Sequence, residues 1–156
     1  MANKLEATIL IDRPAADIFA FLNVPENHPK FVPGMLEFKK TSPGPLDRVG
    51  ATIRGVRQFL GRRMELPYEI TEYEPGNRLG MKGAMGPITF EDGYVLDSMG
   101  NSTRVRFWLE PTLSGLMKIA KPFVVWQGKI HANETLTNLK RALEKGGRYS
   151  TQVYMD

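Results

Sequence analysis

The chain is 156 residues long, 42% apolar and 24% charged, a composition that leaves room for one sizeable core and excludes a disordered chain. Twenty-one Lys and Arg against 17 Asp and Glu give a formal charge of +4 that is spread along the chain, so nucleic acid is not an expected partner. There is no cysteine, which excludes disulfides, Cys-ligated zinc, iron–sulfur clusters and thiol catalysis, and fits a cytoplasmic setting. No apolar run approaches the roughly 18 residues of a membrane span. Met1 to Leu10 alternates like a strand and shows no signal-peptide core.

Lys4 to Asp12 alternates and is rich in β-branched residues near its end, which predicts a strand. Asp12-Arg13-Pro14 stops it. Pro14 suits the first turn of a helix, and Ile18, Phe19 and Leu22 make that helix short and amphipathic over about 14–22. Pro25, Pro29 and Pro33 forbid a long continuation but allow a helical turn near 25–31. Met35 to Thr41 reads as a second strand and Ser42-Pro43-Gly44-Pro45 as a loop. From Gly50 to Pro111 five strand-like runs follow, separated by Gly61-Arg62, Pro75-Gly76-Asn77, Met85-Gly86-Pro87 and Gly100-Asn101, the spacing of an antiparallel meander. After Pro111 the pattern turns helical to about Lys145, where Gly146-Gly147 ends it. One domain is expected over 1–147, with 148–156 as a frayed C-terminal tail.

Side chains alternate along a strand, so the turns set which face each residue takes. A tight turn at Gly61-Arg62 sets Phe59 opposite Met64, Gly55 opposite Tyr68 and Ile53 opposite Ile70. One face then carries Ile53, Gly55, Arg57, Phe59, Met64, Leu66, Tyr68 and Ile70; the other carries Thr52, Arg54, Gln58, Glu65, Glu69 and Thr71. Continued across the next turns, the register pairs Ile70 with Met81 and Glu69 with Lys82. It puts Phe90, Asp92, Tyr94 and Leu96 on the face of Val105, Phe107 and Leu109. Arg104, Arg106 and Trp108 point the other way, and Arg54, Glu69 and Lys82 form an outer charge ladder. The dry face needs a cover, and the C-terminal helix is the element available. Inward Gly55 and Gly83, beside Met and Tyr, suit either an adaptable, partly wet pocket or a close-packed core with Gly at bulges.

Few residues carry chemistry. The two histidines, His28 and His131, cannot build a three-ligand zinc site alone, and no HExxH or facial-triad spacing occurs, so no metal is expected. No G-x-G-x-x-G, Walker A or G-x-S-x-G occurs, and no cofactor is expected. The basic and aromatic run GVRQFLGRR is a hairpin whose two sides differ, a weak basis for nucleic-acid binding. Arg57, inward near a hairpin end, either snorkels to water or receives a carboxylate, enolate or phenolate oxygen of a ligand. On this register Asp92 lies level with Leu79, about six residues along the sheet from Arg57, or roughly 20 Å, too far to pair with it. A buried Asp92 then needs another partner or a raised pKa, which would make it a general-base candidate; the alternative is a charge at a strand kink beside Gly93. Tyr68 and Tyr94 either donate hydrogen bonds to a ligand or fill space.

The long helix carries two stripes. Val125, Ala132, Leu136, Leu139 and Leu143 should pack on the sheet, while Phe123, Trp126 and Ile130 lie roughly 130° away, ringed by Lys118, Lys121 and Lys129. Either Pro122 bends the segment so that the second stripe is buried as a pocket lid, or that stripe is a docking surface for anionic membrane or a partner chain.

The segments ATILIDRPAADIFAFLNVPENHPKFVPGM (7–35), YEITEYEPGNRL (68–79) and GNSTRVRFWLEP (100–111) resemble the START-like, helix-grip or SRPBCC superfamily, and within it the polyketide cyclase/dehydrase and lipid-transport branch. The resemblance covers about 4–145. It implies an α+β fold in which a seven-stranded antiparallel sheet wraps around the long C-terminal helix, with two short helices after the first strand and a cavity for an apolar or aromatic molecule. On that fold the ligand-binding candidates are Arg57, Phe59, Tyr68, Met81, Phe90, Tyr94, Phe107, Trp126 and Ile130, and the catalytic candidates are Arg57, Asp92 and Tyr94. Three functions follow from different classes: a carrier or binding protein for a hydrophobic small molecule, a cofactor-free cyclase or dehydratase using the same cavity, and an accessory subunit docking on a membrane or a larger enzyme. A monomer or homodimer is expected.

Overall fold

The computed structural model describes residues 4–42, 46 and 48–145. The expected tail at 148–156 and the helix-ending Gly146-Gly147 lie outside the described residues. In chain order the elements are β1 (Leu5–Ile11), α1 (Ala15–Leu22), a 3-10 turn (Pro25–Lys30), β2 (Met35–Lys40), β3 (Thr52–Phe59), β4 (Arg62–Glu74), β5 (Arg78–Met85), β6 (Ile88–Met99), β7 (Ser102–Thr112), a second 3-10 turn (Gly115–Ala120) and α2 (Lys121–Lys145). The strands form one antiparallel seven-stranded sheet in the order β1-β7-β6-β5-β4-β3-β2. β1 pairs with β7, so the first and last strands are neighbours, and α2 packs mainly against these two strands. Pro14 caps α1 in an extended conformation, and α1 buries Ile18, Phe19 and Leu22.

The inward and outward faces are those expected, but the first hairpin turns one residue earlier. Phe59 pairs with Arg62, Gly55 with Leu66 and Ile53 with Tyr68. The loop is Leu60-Gly61, with φ of 53° and 77°, as in a two-residue type I′ turn. The register therefore differs by two residues, and because side chains have period two, every face is preserved. The slip also rearranges the outer charges: Arg54 bonds Glu65 at 2.7 Å and Glu37 at 3.2 Å, while Glu69 pairs with Lys82 at 3.7 Å.

The helical segment also starts later than the sequence pattern indicates. β7 runs through Pro111, which lies beyond Leu109, where β1 begins opposite it, so its missing N–H faces no β1 residue. A 3-10 turn follows, and Pro122 stands in the first turn of α2, where a missing donor costs nothing. Ala132, Leu136 and Leu139 are the fully buried stripe of α2. At Gly128 the helix lies so close to the sheet that a Cβ would come 2.5 Å from Leu5 Cδ1. The far end of α2 is clamped: buried Glu144 accepts from the Asp12 amide and from Lys140 Nζ, each at 2.9 Å, and Lys140 also donates to the Leu10 carbonyl at 2.7 Å.

Candidate functional site

Inward Gly55 and Gly83 do not leave open space. A Cβ at Gly55 would come 2.6 Å from Tyr68 Cε1, and one at Gly83 would come 3.0 Å from Phe90 Cζ and 3.1 Å from Tyr68 Cδ2. The Tyr68 ring occupies the room they provide. It belongs to a file of rings, His28, Phe38, Tyr68 and Phe90, with centroids 4.5, 5.2 and 5.9 Å apart in that order. Part of the dry face is therefore a close-packed aromatic core. His28 sits fully inside it; its Nε2 lies 2.8 Å from the Leu22 carbonyl, and burial pushes its pKa down to about 4, so it is neutral.

The rest of the dry face is open. A cavity of about 530 Å³ lies between the sheet and the first half of α2. Its sheet wall includes Arg57, Phe59, Leu66, Phe90, Asp92 and Leu109; the β5–β6 hairpin adds Met85 and Ile88. The second 3-10 turn contributes Met117 and Ala120, and α2 contributes Phe123, Gln127, Ile130, His131 and Glu134. Pro33 and Gly34, after the first 3-10 turn, complete the rim beside Arg57.

Of the residues expected at the site, Arg57, Phe59, Phe90, Asp92 and Ile130 come together on this cavity. Tyr68, Met81, Tyr94 and Phe107 face inward but are buried in the core and do not line it. Tyr94 packs its ring on Phe107 at 5.0 Å, and burial holds its hydroxyl protonated, so it is not placed to act on a molecule in the cavity. Trp126 stands outside and exposed, with Phe123 partly turned in beside it.

The polar groups of the wall interact. Arg57 Nη2 donates to the Pro33 carbonyl at 2.9 Å, while Arg57 Nε is buried without a partner. Asp92 Oδ1 is likewise buried without a partner. In the sheet Asp92 pairs with Met81, and Leu79 pairs with Tyr94, again two residues from the expected register. Among the described residues no ion pair joins Arg57 to Asp92, in keeping with their offset along the sheet. Pairing is irregular between Met35 and Glu37 and between Ile70 and Glu72, and the Arg57 and Asp92 side chains nonetheless border the same cavity, where the Arg57 charge acts on Asp92. Burial raises the Asp92 carboxyl from 3.8 to about 7, against the pull of the Arg57 charge. Burial, then Arg57, lowers His131 to about 3, so that ring is neutral and can offer one donor and one acceptor. Burial raises the Tyr68 hydroxyl, with Asp92 adding to the rise and Arg57 opposing it.

His131, Gln127, Met117 and Glu134 were not expected in the wall. On α2 the residues 123, 127, 130, 131 and 134 fall at helical spacing on one side. Reading that side from sequence requires knowing that the helix begins at Lys121 and how it is rotated over the sheet. A second, more open depression of about 780 Å³ involves β3 to β6 and carries Arg54, Glu65, Glu69 and Lys82. Those charges neutralise one another in the ion pairs described above.

Among the described residues there is no group of three or more His, Cys, Asp or Glu that could hold a metal, and no helix long and apolar enough to cross a membrane. No curated protein matches the sequence. Several solved structures share the fold. The di-domain ARO/CYC protein BexL is 16% identical with a TM-score of 0.77 over 95% of this chain and 48% of that one, so this chain spans about half its length. The Zhui aromatase/cyclase from a Streptomyces species is 10% identical, with a TM-score of 0.70 over 94% of this chain and 98% of that one. A START superfamily protein from Mycobacterium smegmatis is 17% identical, with a TM-score of 0.67 over 92% and 95%. At these identities the likeness is one of fold, the helix-grip arrangement. The sequence itself carries the family assignment: residues 2–144 match the model for polyketide cyclase / dehydrase and lipid transport, and the chain belongs to that family.

Proposed function

We propose that the chain binds a hydrophobic or aromatic small molecule, lipid- or polyketide-like, in the cavity between the sheet and α2, as a carrier or binding protein. The observation that carries this reading is the pair of buried, unpartnered atoms, Arg57 Nε and Asp92 Oδ1, on the wall of a largely apolar cavity of about 530 Å³. Buried polar atoms almost always have a partner. A molecule with an apolar body and one or two oxygens would supply partners and fill the space. The volume falls within the roughly 300–1,000 Å³ of small-molecule sites. An environment-sensitive apolar dye should bind and be displaced by aromatic competitors, and native mass spectrometry of protein purified from its own host should show a bound small molecule. A protein that binds no dye and carries no ligand sinks the reading.

One observation favours a second reading, a cofactor-free cyclase or dehydratase. Asp92, with a pKa of about 7, can take or give a proton near neutral pH, and Arg57 on the same wall can hold a developing oxyanion. The cavity would then hold a flexible chain in a folded conformer. The two readings separate on product: a carrier returns its ligand unchanged, and an enzyme does not.

A further inference from the structure

Beside the cavity lies an exposed apolar surface, two of whose residues, Phe123 and Ile130, also border the cavity. In the second 3-10 turn Leu116 and Ile119 are 84% and 80% exposed. They stand three residues apart, where a 3-10 turn stacks side chains on one side. Phe123, Trp126 and Ile130 follow on α2 at i, i+3 and i+7, 46%, 56% and 36% exposed, with the Phe123 and Trp126 rings 6.0 Å apart. An apolar surface of this kind is costly to leave in water and marks an interaction site. Lys118, Lys121 and Lys129 are interleaved with it, and none has an ion-pair partner among the described residues. Between Glu110 and Glu134 the chain has no acidic residue at all.

A second element repeats the pattern. At the tip of the β3–β4 hairpin Leu60 is 73% exposed and has a φ of 53°. Asn or Gly would take this left-handed turn position at lower cost. A strained, exposed leucine is a backbone outlier that asks for a functional reason. Arg62 and Arg63 follow after Gly61, and Arg63 also lies 3.4 Å from Glu37. The neighbours of this tip, Gln58 and Phe59, line the same cavity as Met117 and Phe123. Exposed apolar side chains with adjacent cations thus come from two separate elements of one cavity's wall.

We infer that this face docks on an anionic lipid bilayer, with Leu60, Leu116, Ile119 and Trp126 entering the headgroup–acyl boundary and the flanking lysines and arginines on the phosphates. A second copy of the chain is disfavoured as occupant, since a two-fold contact through this face would bring like-charged lysines together. Docked in this way, the cavity exchanges an apolar ligand with the acyl region instead of with water. That consequence rests on the binding function proposed above; the docking does not.

The test uses the full chain without added ligand, mixed with vesicles of phosphatidylcholine alone or of equimolar phosphatidylcholine and phosphatidylglycerol. The chain has two tryptophans, and Trp108 is already 9% exposed, so a blue shift of emission reports Trp126. The expected result is cosedimentation and a blue shift with the mixed vesicles, weakened by salt and lost from the shift in Trp126→Phe. Replacing Lys118, Lys121 and Lys129 by Gln should weaken binding about fivefold for each lysine, roughly a hundredfold together, at ~1 kcal/mol per cation. Leu60→Asn should raise the thermal midpoint while weakening vesicle binding, a combination that a purely structural leucine would not give. The inference is overturned if the folded protein ignores the mixed vesicles, binds phosphatidylcholine equally well, or shows the Trp126 shift on concentration alone. Lost vesicle binding with intact dye binding removes the docking and leaves the carrier; the converse removes the carrier and leaves the docking.

Discussion

Asp92→Asn is expected to stabilise the protein at neutral and alkaline pH and to leave it nearly unchanged in acid. Burial lifts this carboxyl from 3.8 to about 7, with Arg57 opposing the rise. A carboxyl with a raised folded pKa holds its proton more tightly when folded. Its contribution to stability is complete below 3.8 and is lost as the pH rises through about 7. At about 1.36 kcal/mol per pH unit, that interval corresponds to about 4 kcal/mol. Asn matches the shape of the protonated carboxyl and never ionises, so the variant escapes the loss. Water that follows the carboxylate into the cavity softens the penalty, so the expected gain is about 2–4 kcal/mol at about pH 8, closing to within about 0.5 kcal/mol near pH 4. The histidines act in the opposite sense. With folded values of about 4 for His28 and about 3 for His131 against 6.5, their contribution is complete above 6.5 and lost as the pH falls through those values. The wild-type profile is therefore a sum of opposing slopes, and the difference between the two proteins isolates Asp92. Urea unfolding at a series of pH values reads it directly. A difference that is the same at every pH would show that the carboxyl titrates normally. A variant less stable than the parent at alkaline pH would show that attraction to Arg57 outweighs desolvation, and the buried-acid reasoning would then be wrong.

Arg57→Met should weaken binding of acidic or phenolic ligands by roughly 1.5–3 kcal/mol, the scale of a charged hydrogen bond, and leave neutral apolar ligands nearly unaffected. Calorimetric titration with matched pairs decides, and equal loss for both classes would make Arg57 structural only. Its 2.9 Å bond to the Pro33 carbonyl is also lost, which should cost the fold about 1 kcal/mol. Gly55→Ala should destabilise by about 1–3 kcal/mol in urea unfolding, because the new Cβ meets Tyr68. That ring has little room to yield, with Phe38 and Phe90 at 5.2 and 5.9 Å on either hand. An unchanged unfolding midpoint would show that the ring is free to move.

The faces of the sheet are legible in the sequence because period-two alternation survives a shift of two residues. Placing the first turn at Gly61-Arg62 instead of Leu60-Gly61 slips the register by two residues, and an even slip returns each side chain to its own face. The shift arises because a leucine with positive φ is the last residue that turn chemistry would nominate for the position. Alternation gives the side of the sheet but not the depth. Tyr68, Met81, Tyr94 and Phe107 do face inward, yet they belong to the packed core, and only Arg57, Phe59, Phe90, Asp92 and Ile130 of the expected set reach the cavity. The α2 contribution depended on where that helix begins, which Pro111 and Pro122 alone did not fix. Arg57 and Asp92 form no ion pair among the described residues, as their offset along the sheet implies, but both border the cavity. Strand spacing measures distance along the sheet; it does not say which side chains border one volume. The shared border changes the chemistry: each charge alone would need its own explanation, but together Arg57 moderates the desolvation of Asp92 without bonding it. The unsatisfied atom that each retains then marks where a ligand's polar end would lie.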